Sequence, residues 1–303
     1  MSKTKQGVSE DQRTLILDLR RHHSFREVSR MTGVPIGTVK TISSRSGAFR
    51  DNEAHRTMFS LPPIKLNAGT SPAVQSLPKQ QAVTGERDVD ALLWLRDVIS
   101  TGQPAHIEAA MEAAKRIKTP FKELELRYRS WLQINHPNNM FAALSSFDLS
   151  NLESLAESSV QKLARQTEAR ARFGDRIFSL TDAEVFCVSA LEELEVVATG
   201  GFHEAEIADR FKARPELMPN TLSDCLYELD YWSQLYWLRH SVDQDSCDAA
   251  HEASARDWFV FEMLAEIRPR SKEEAKAVLR YMVTGDRGDS RKDMKRIMEN
   301  LIA

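Results

Sequence analysis

Residues 24–46 read SFREVSRMTGVPIGTVKTISSRS, and their spacing predicts two short helices around a tight turn. Ser24 is a good N-cap, and Glu27, three positions on, completes a capping box. Val28, Ser29 and Met31 supply the inward face of the first helix. Gly33 follows where the chain must turn sharply, a place for left-handed backbone. Val34 precedes Pro35 and is pushed to an extended conformation. Pro35 suits the first turn of the second helix, where its missing N–H would have no partner anyway. Val39 and Ile42 face back into the pair. Ile36, Gly37, Thr38, Lys40, Thr41, Ser44 and Arg45 are left facing outward, without an acid among them.

This pattern resembles the helix-turn-helix of resolvase- and transposase-type DNA-binding domains and of many phage and plasmid regulators. The matching positions are the small Ser29, the turn Gly33 with Val34 after it, and then Val39 and Ile42. Ser29 stands where Ala is commoner, and Thr32 where an aliphatic residue is commoner. The resemblance covers residues 9–50 and names no family for the rest of the chain. It implies that residues 35–46 enter the major groove of double-stranded DNA. Thr38, Lys40 and Thr41 would then lie at or near base edges, with Ile36, Gly37 and Ser44 on the same face. Arg20, Arg21, Arg26 and Arg45 would hold phosphates. One such unit spans few base pairs, so the resemblance also implies a homodimer on a two-fold site. An ordinary αα-hairpin with a glycine in its turn shares the pattern. The basic N-terminal setting and the acid-free outer face favour nucleic acid.

Charge is unevenly placed along the 303 residues. Residues 1–56 hold eleven Lys+Arg against six Asp+Glu, or +5; the rest hold 30 against 38, or −8, within a total of −3. A basic head on an acidic body suits contact with nucleic acid at one end and a protein partner at the other. The three cysteines, Cys187, Cys225 and Cys247, form no CxxC. They argue against a disulfide framework or zinc site and fit a reducing cytoplasm. No signal peptide is evident, and no apolar run approaches the roughly 18 residues of a membrane span.

The remaining pattern is helical. Residues 9–21 predict a first helix, capped by Ser9 with Gln12, with Leu15, Ile16 and Leu19 inward. Arg20, Arg21, His22 and His23 end it with charge that the helix dipole favours. The head spans residues 1–56 and closes on a short turn and partial helix. Residues 57–87 hold Pro62, Pro63, Pro72 and Pro78, four of the eleven prolines, and predict an extended, largely unstructured linker; Leu61, Ile64 and Leu66 could dock locally. Residues 88–178 predict a helical domain with a possible oligomerisation role. Its long last helix carries a basic flank of Lys162, Arg165, Arg170, Arg172 and Arg176, either a dimer face or a solvated one.

Residues 179–303 open on a capping box at Thr181 and Glu184, and Gly200-Gly201 stops the helix that follows. The next stretch reads as winged-helix-like. Ile207, Ala208 and Phe211 form one inward face, Leu222, Leu226 and Leu229 another, and residues 235–238 a wing strand. Asp224, Glu228 and Asp230 are expected on the surface of its third helix, where phosphates would repel them. A protein-contact role is therefore preferred for that unit. Two helices over residues 249–267 and 271–284, a polar loop over 285–293 and a last helix with Met294, Ile297, Met298 and Leu301 complete the chain.

No GxGxxG, GxxxxGK[ST], HExxH or GxSxG occurs. No catalytic residue, metal ligand or cofactor is assigned. The expectation is an all-α, non-enzymatic transcriptional regulator of a phage, plasmid or other mobile element. The alternatives are an assembly adaptor of the small-terminase or partition type, or an accessory subunit of a recombinase.

Overall fold

The computed structural model describes residues 8–47, 49–65, 76–139, 141–196, 201–284 and 291–302, apart from the side chains of residues 21, 22, 291 and 292. Its described residues are all-α, without a strand. The head holds α1 (Glu10–His22), α2 (Phe25–Thr32), α3 (Ile36–Ser46) and α4 (Glu53–Met58). Next come α5 (Arg87–Ile99), α6 (Pro104–Ala114), α7 (Phe121–Asn135) and α8 (Leu152–Phe173). The chain ends in α9 (Asp182–Ala190), α10 (Glu204–Lys212), α11 (Leu222–Val242), α12 (His251–Met263), α13 (Lys272–Thr284) and α14 (Arg291–Ile302). None of these helices is long and apolar enough to cross a membrane.

Two compact units emerge. One joins Met1–Leu61 to Ser179–Tyr236 and Cys247–Ala303; the other joins Pro62–Phe178 to Trp237–Ser246. The second unit is built on α5, whose Val89, Leu92, Leu95, Val98 and Ile99 are buried against Ala110, Ala114, Leu124, Leu149 and Leu152. Gly102, three residues past the end of α5, has φ +69°, and a Cβ there would stand 2.4 Å from the Ser159 carbonyl oxygen of α8. The expected linker is tied down at both its described ends. The Lys65 N–H donates to the Ala171 carbonyl at 2.9 Å, and Trp94 Nε1 donates to the Pro78 carbonyl at 2.8 Å. Asp90, buried, accepts from the N–H groups of Val83, Thr84 and Gly85 and from the Thr84 hydroxyl. Burial alone would raise the Asp90 pKa; these bonds outweigh it and hold the carboxyl below its usual range. Ile64 is exposed, while Leu66 and Pro72 lie outside the described residues. The basic flank of α8 is partly engaged. Arg172 pairs with Glu168 at 2.7 Å, and the Arg165 guanidinium lies 4.8 Å over the Trp237 ring.

The first unit has a charged centre. Glu228 on α11 and Arg256 on α12 meet at 2.7 Å with both side chains 0 % exposed. The Arg256 guanidinium lies 4.9–5.8 Å from the rings of Phe59, Phe186, Phe211 and Phe259. Phe59 is wholly buried just past α4, beside Tyr231 and Trp232, so the linker begins beyond it and not at residue 57. Burial alone would raise the Glu228 pKa. The Arg256 charge and the His55 hydrogen bond outweigh it and leave the carboxyl below its ordinary value.

Three sequence expectations are corrected here. Residues 235–238 belong to α11 and not to a wing strand. Tyr231, Trp232, Leu235 and Leu238 are buried at helical spacing, so one continuous face outweighs the strand propensity of the aromatic residues. Asp224 and Glu228 are buried and paired, and not on a solvated face. Leu15 and Met31, expected inward, are 49 % and 53 % exposed. The core of the head is instead Ile16, Val28, Val34 and Val39, with Val8, Leu19, Phe25 and Ile42 packed against it. Gly200 and residues 285–290 of the polar loop lie outside the described residues.

Candidate nucleic-acid interface

The turn between α2 and α3 is braced from both sides. Ser24 accepts from the Glu27 N–H at 3.3 Å while the Glu27 carboxylate accepts from the Ser24 N–H at 2.8 Å. That reciprocal pair fixes the start of α2. At its end Gly33 takes φ +69°, ψ 3°. The Ser29 hydroxyl donates to the Val34 carbonyl at 2.7 Å, across the turn. The Thr32 hydroxyl donates to the Val28 carbonyl at 2.7 Å and accepts from the Val34 N–H at 3.4 Å. The two positions that depart from the commoner residues of the resembled motif therefore supply hydroxyls that staple the turn. Pro35 sits at the N-cap of α3, one position outside the helix.

Val39 is fully buried, Ser43 nearly so, and Ile42 is partly buried, which fixes the inward side of α3. At 100° per residue the opposite side carries Gly37, Thr41 and Ser44, with Lys40 on one flank and Arg45 on the other. All five are exposed, as is Ile36; Thr38 is half-buried. The Thr41 hydroxyl donates to the Gly37 carbonyl at 2.9 Å, so its oxygen lone pairs are what remain for an outside donor. Thr38, Thr41 and Arg45 line a groove of about 510 Å³ with Glu10, Arg13 and Thr14 of α1. Lys40 and Ser44 border a second cleft on the other flank.

The arginines divide by what holds them. Arg26 and Arg45 are exposed and have no ion-pair partner among the described residues. Arg20 is turned back on the fold. Its Nη1 donates to the His23 carbonyl, and its guanidinium stacks 3.8 Å over the Phe25 ring. The Arg21 side chain lies outside the described residues. Arg56, counted in the basic head, is neutralised by Asp224 at 2.7 Å and Asp51 at 3.0 Å.

No family model, curated protein or solved structure matches the chain.

Sequence reading missed Asn220, Arg268 and Arg270, which border the head from the other end of the chain. They sit more than 170 positions from α3, and no local spacing signals them. No group of three or more metal-binding side chains gathers among the described residues.

Proposed function

We propose that the chain is a sequence-specific DNA-binding protein, a transcriptional regulator that sets α3 of its helix-turn-helix head in the major groove. The observation that carries this reading is the outer stripe of α3. Gly37, Thr41 and Ser44 form a slim polar strip flanked by Lys40 and Arg45, and no carboxylate neutralises either cation among the described residues. Short polar side chains suit base edges, and free cations suit phosphates. The protein acts as a homodimer, because two heads are needed to span a specific site. Phe141, Leu144 and Phe147, exposed within one short segment of the second unit, support self-association. The three cysteines are buried and not joined in disulfides, which supports a cytoplasmic protein. In this reading the protein is not an enzyme, and it serves a phage, plasmid or other mobile element.

The test is fluorescence anisotropy on a duplex recovered by random-pool selection. Lys40→Ala with Arg45→Ala is expected to weaken binding at least tenfold and leave the melting temperature unchanged. Unchanged affinity removes the assignment. Native mass decides the assembly alternative: a ring of eight or more copies would favour a packaging adaptor over a dimeric regulator.

A further inference from the structure

The first unit contains a cleft of about 690 Å³ between the head helices and residues 267–270. That size fits a small organic ligand. Its wall is strongly cationic. Arg20, Lys40, Arg50 and Arg268 line it, and Glu27 is the one carboxylate among its described lining residues. The Glu27 carboxylate is already occupied by the Ser24 N–H. Arg270 also borders the cleft but is held by Asp51 at 2.8 Å and Glu274 at 2.9 Å. Lys40, Arg50 and Arg268 have no ion-pair partner among the described residues. Burial and the nearby Arg268 charge both disfavour the protonated form of Arg20. Four cations, Arg20, Lys40, Arg50 and Arg268, therefore share this wall with a single carboxylate, Glu27.

A second observation is independent of charge. Ser43, on the cleft wall and only 6 % exposed, has a hydroxyl with no hydrogen-bond partner. The Nε of Arg20 is likewise shut off from solvent and unpartnered. Buried polar atoms without partners are uncommon, and two of them sit on residues of this one wall. Guanidinium and ammonium groups gathered on one cleft wall are phosphate-binding chemistry.

We propose that this cleft binds a phosphate-bearing small molecule, its phosphate met by the unpaired cations of Lys40, Arg50 and Arg268. Phe49 gives the remainder of the ligand an apolar surface. Lys40 also flanks the outer stripe of α3, so an occupied cleft draws on a cation that DNA would use. That regulatory consequence rests on the proposed DNA-binding function; the site itself does not.

The test titrates the full-length protein with inorganic pyrophosphate at constant ionic strength, read by calorimetry and melting temperature, without DNA. Saturable binding and a raised melting temperature are expected. Arg268→Gln should weaken it at least tenfold, and Arg45→Gln, on the other flank of α3, should leave it within twofold. Arg50→Gln serves if Arg268→Gln fails to fold. Absence of saturation, or equal losses in the Arg268 and Arg45 variants, overturns the site. A parallel titration with duplex separates the phosphate sources. If duplex binding needs Arg268 while pyrophosphate does not bind, the cleft takes backbone phosphate and the small-molecule proposal falls. If pyrophosphate binds and no duplex does, the site stands and the DNA-binding reading falls.

Discussion

His55 Nε2 and Glu228 Oε2 lie 2.6 Å apart, with neither side chain exposed, although 173 positions separate them in the chain. The same carboxylate accepts from Arg256 Nε at 2.7 Å, Arg256 Nη2 at 2.9 Å and Trp232 Nε1 at 3.2 Å. Glu228→Ala therefore leaves a buried guanidinium with no counter-charge. The expected cost is about 3–5 kcal/mol, read by urea denaturation. A loss below ~1 kcal/mol would mean that water reaches Arg256.

Acid should weaken the second unit through Asp90. Its folded pKa lies below the ordinary aspartate value, so its contribution is fully present above the unfolded pKa of about 3.9. It is lost as pH falls through that value toward the folded pKa. Stability measured from pH 6 down to pH 3 should fall less steeply in Asp90→Asn than in the natural chain. Equal slopes would show that the four bonds to the carboxylate add nothing on ionisation.

Two glycines of equal φ should behave differently. Gly33 and Gly102 both sit at φ +69°. A Cβ on Gly33 meets nothing within 4 Å, so Gly33→Ala costs conformational strain alone, about 1 kcal/mol. A Cβ on Gly102 meets the Ser159 oxygen at 2.4 Å and Leu163 Cβ at 2.9 Å. Gly102→Ala should cost more than ~3 kcal/mol, strain and overlap together, as measured by thermal unfolding. Equal losses would show that α8 moves aside freely.

Salt dependence separates free from engaged arginines. Arg45→Gln should reduce the slope of log affinity against log salt by about 1. Arg56→Gln should leave the slope unchanged and cost roughly 1–2 kcal/mol of stability, because it strips a charge-assisted bond from buried Asp224. A changed slope in Arg56→Gln would mean that its pairing with Asp224 opens on binding.

Local chemistry was legible in the chain and long-range pairing was not. The capping boxes at Ser24 with Glu27 and at Thr181 with Glu184 occur where spacing puts them. The left-handed Gly33 and the all-α class follow from the same short-range signals. Glu228 was misplaced because an acid on a helix reads as solvated until its partner is known. The partners, His55 and Arg256, lie in other helices. The strand expected over residues 235–238 failed because β propensity was weighed on four residues. Burial at positions 231, 232, 235 and 238 runs with the period of a 21-residue helix. The cleft beside α3 was invisible because a third of its lining residues arrive from positions 220 and 267–270.

Phe59 sets where a chimaera could be cut. Grafting a foreign head onto this chain at residue 61 would discard the aromatic plug and His55 together, and the recipient would inherit a charged void. A junction near residue 50 keeps Asn52, His55 and Phe59 with the helices that enclose them, and would let heads be exchanged as cassettes.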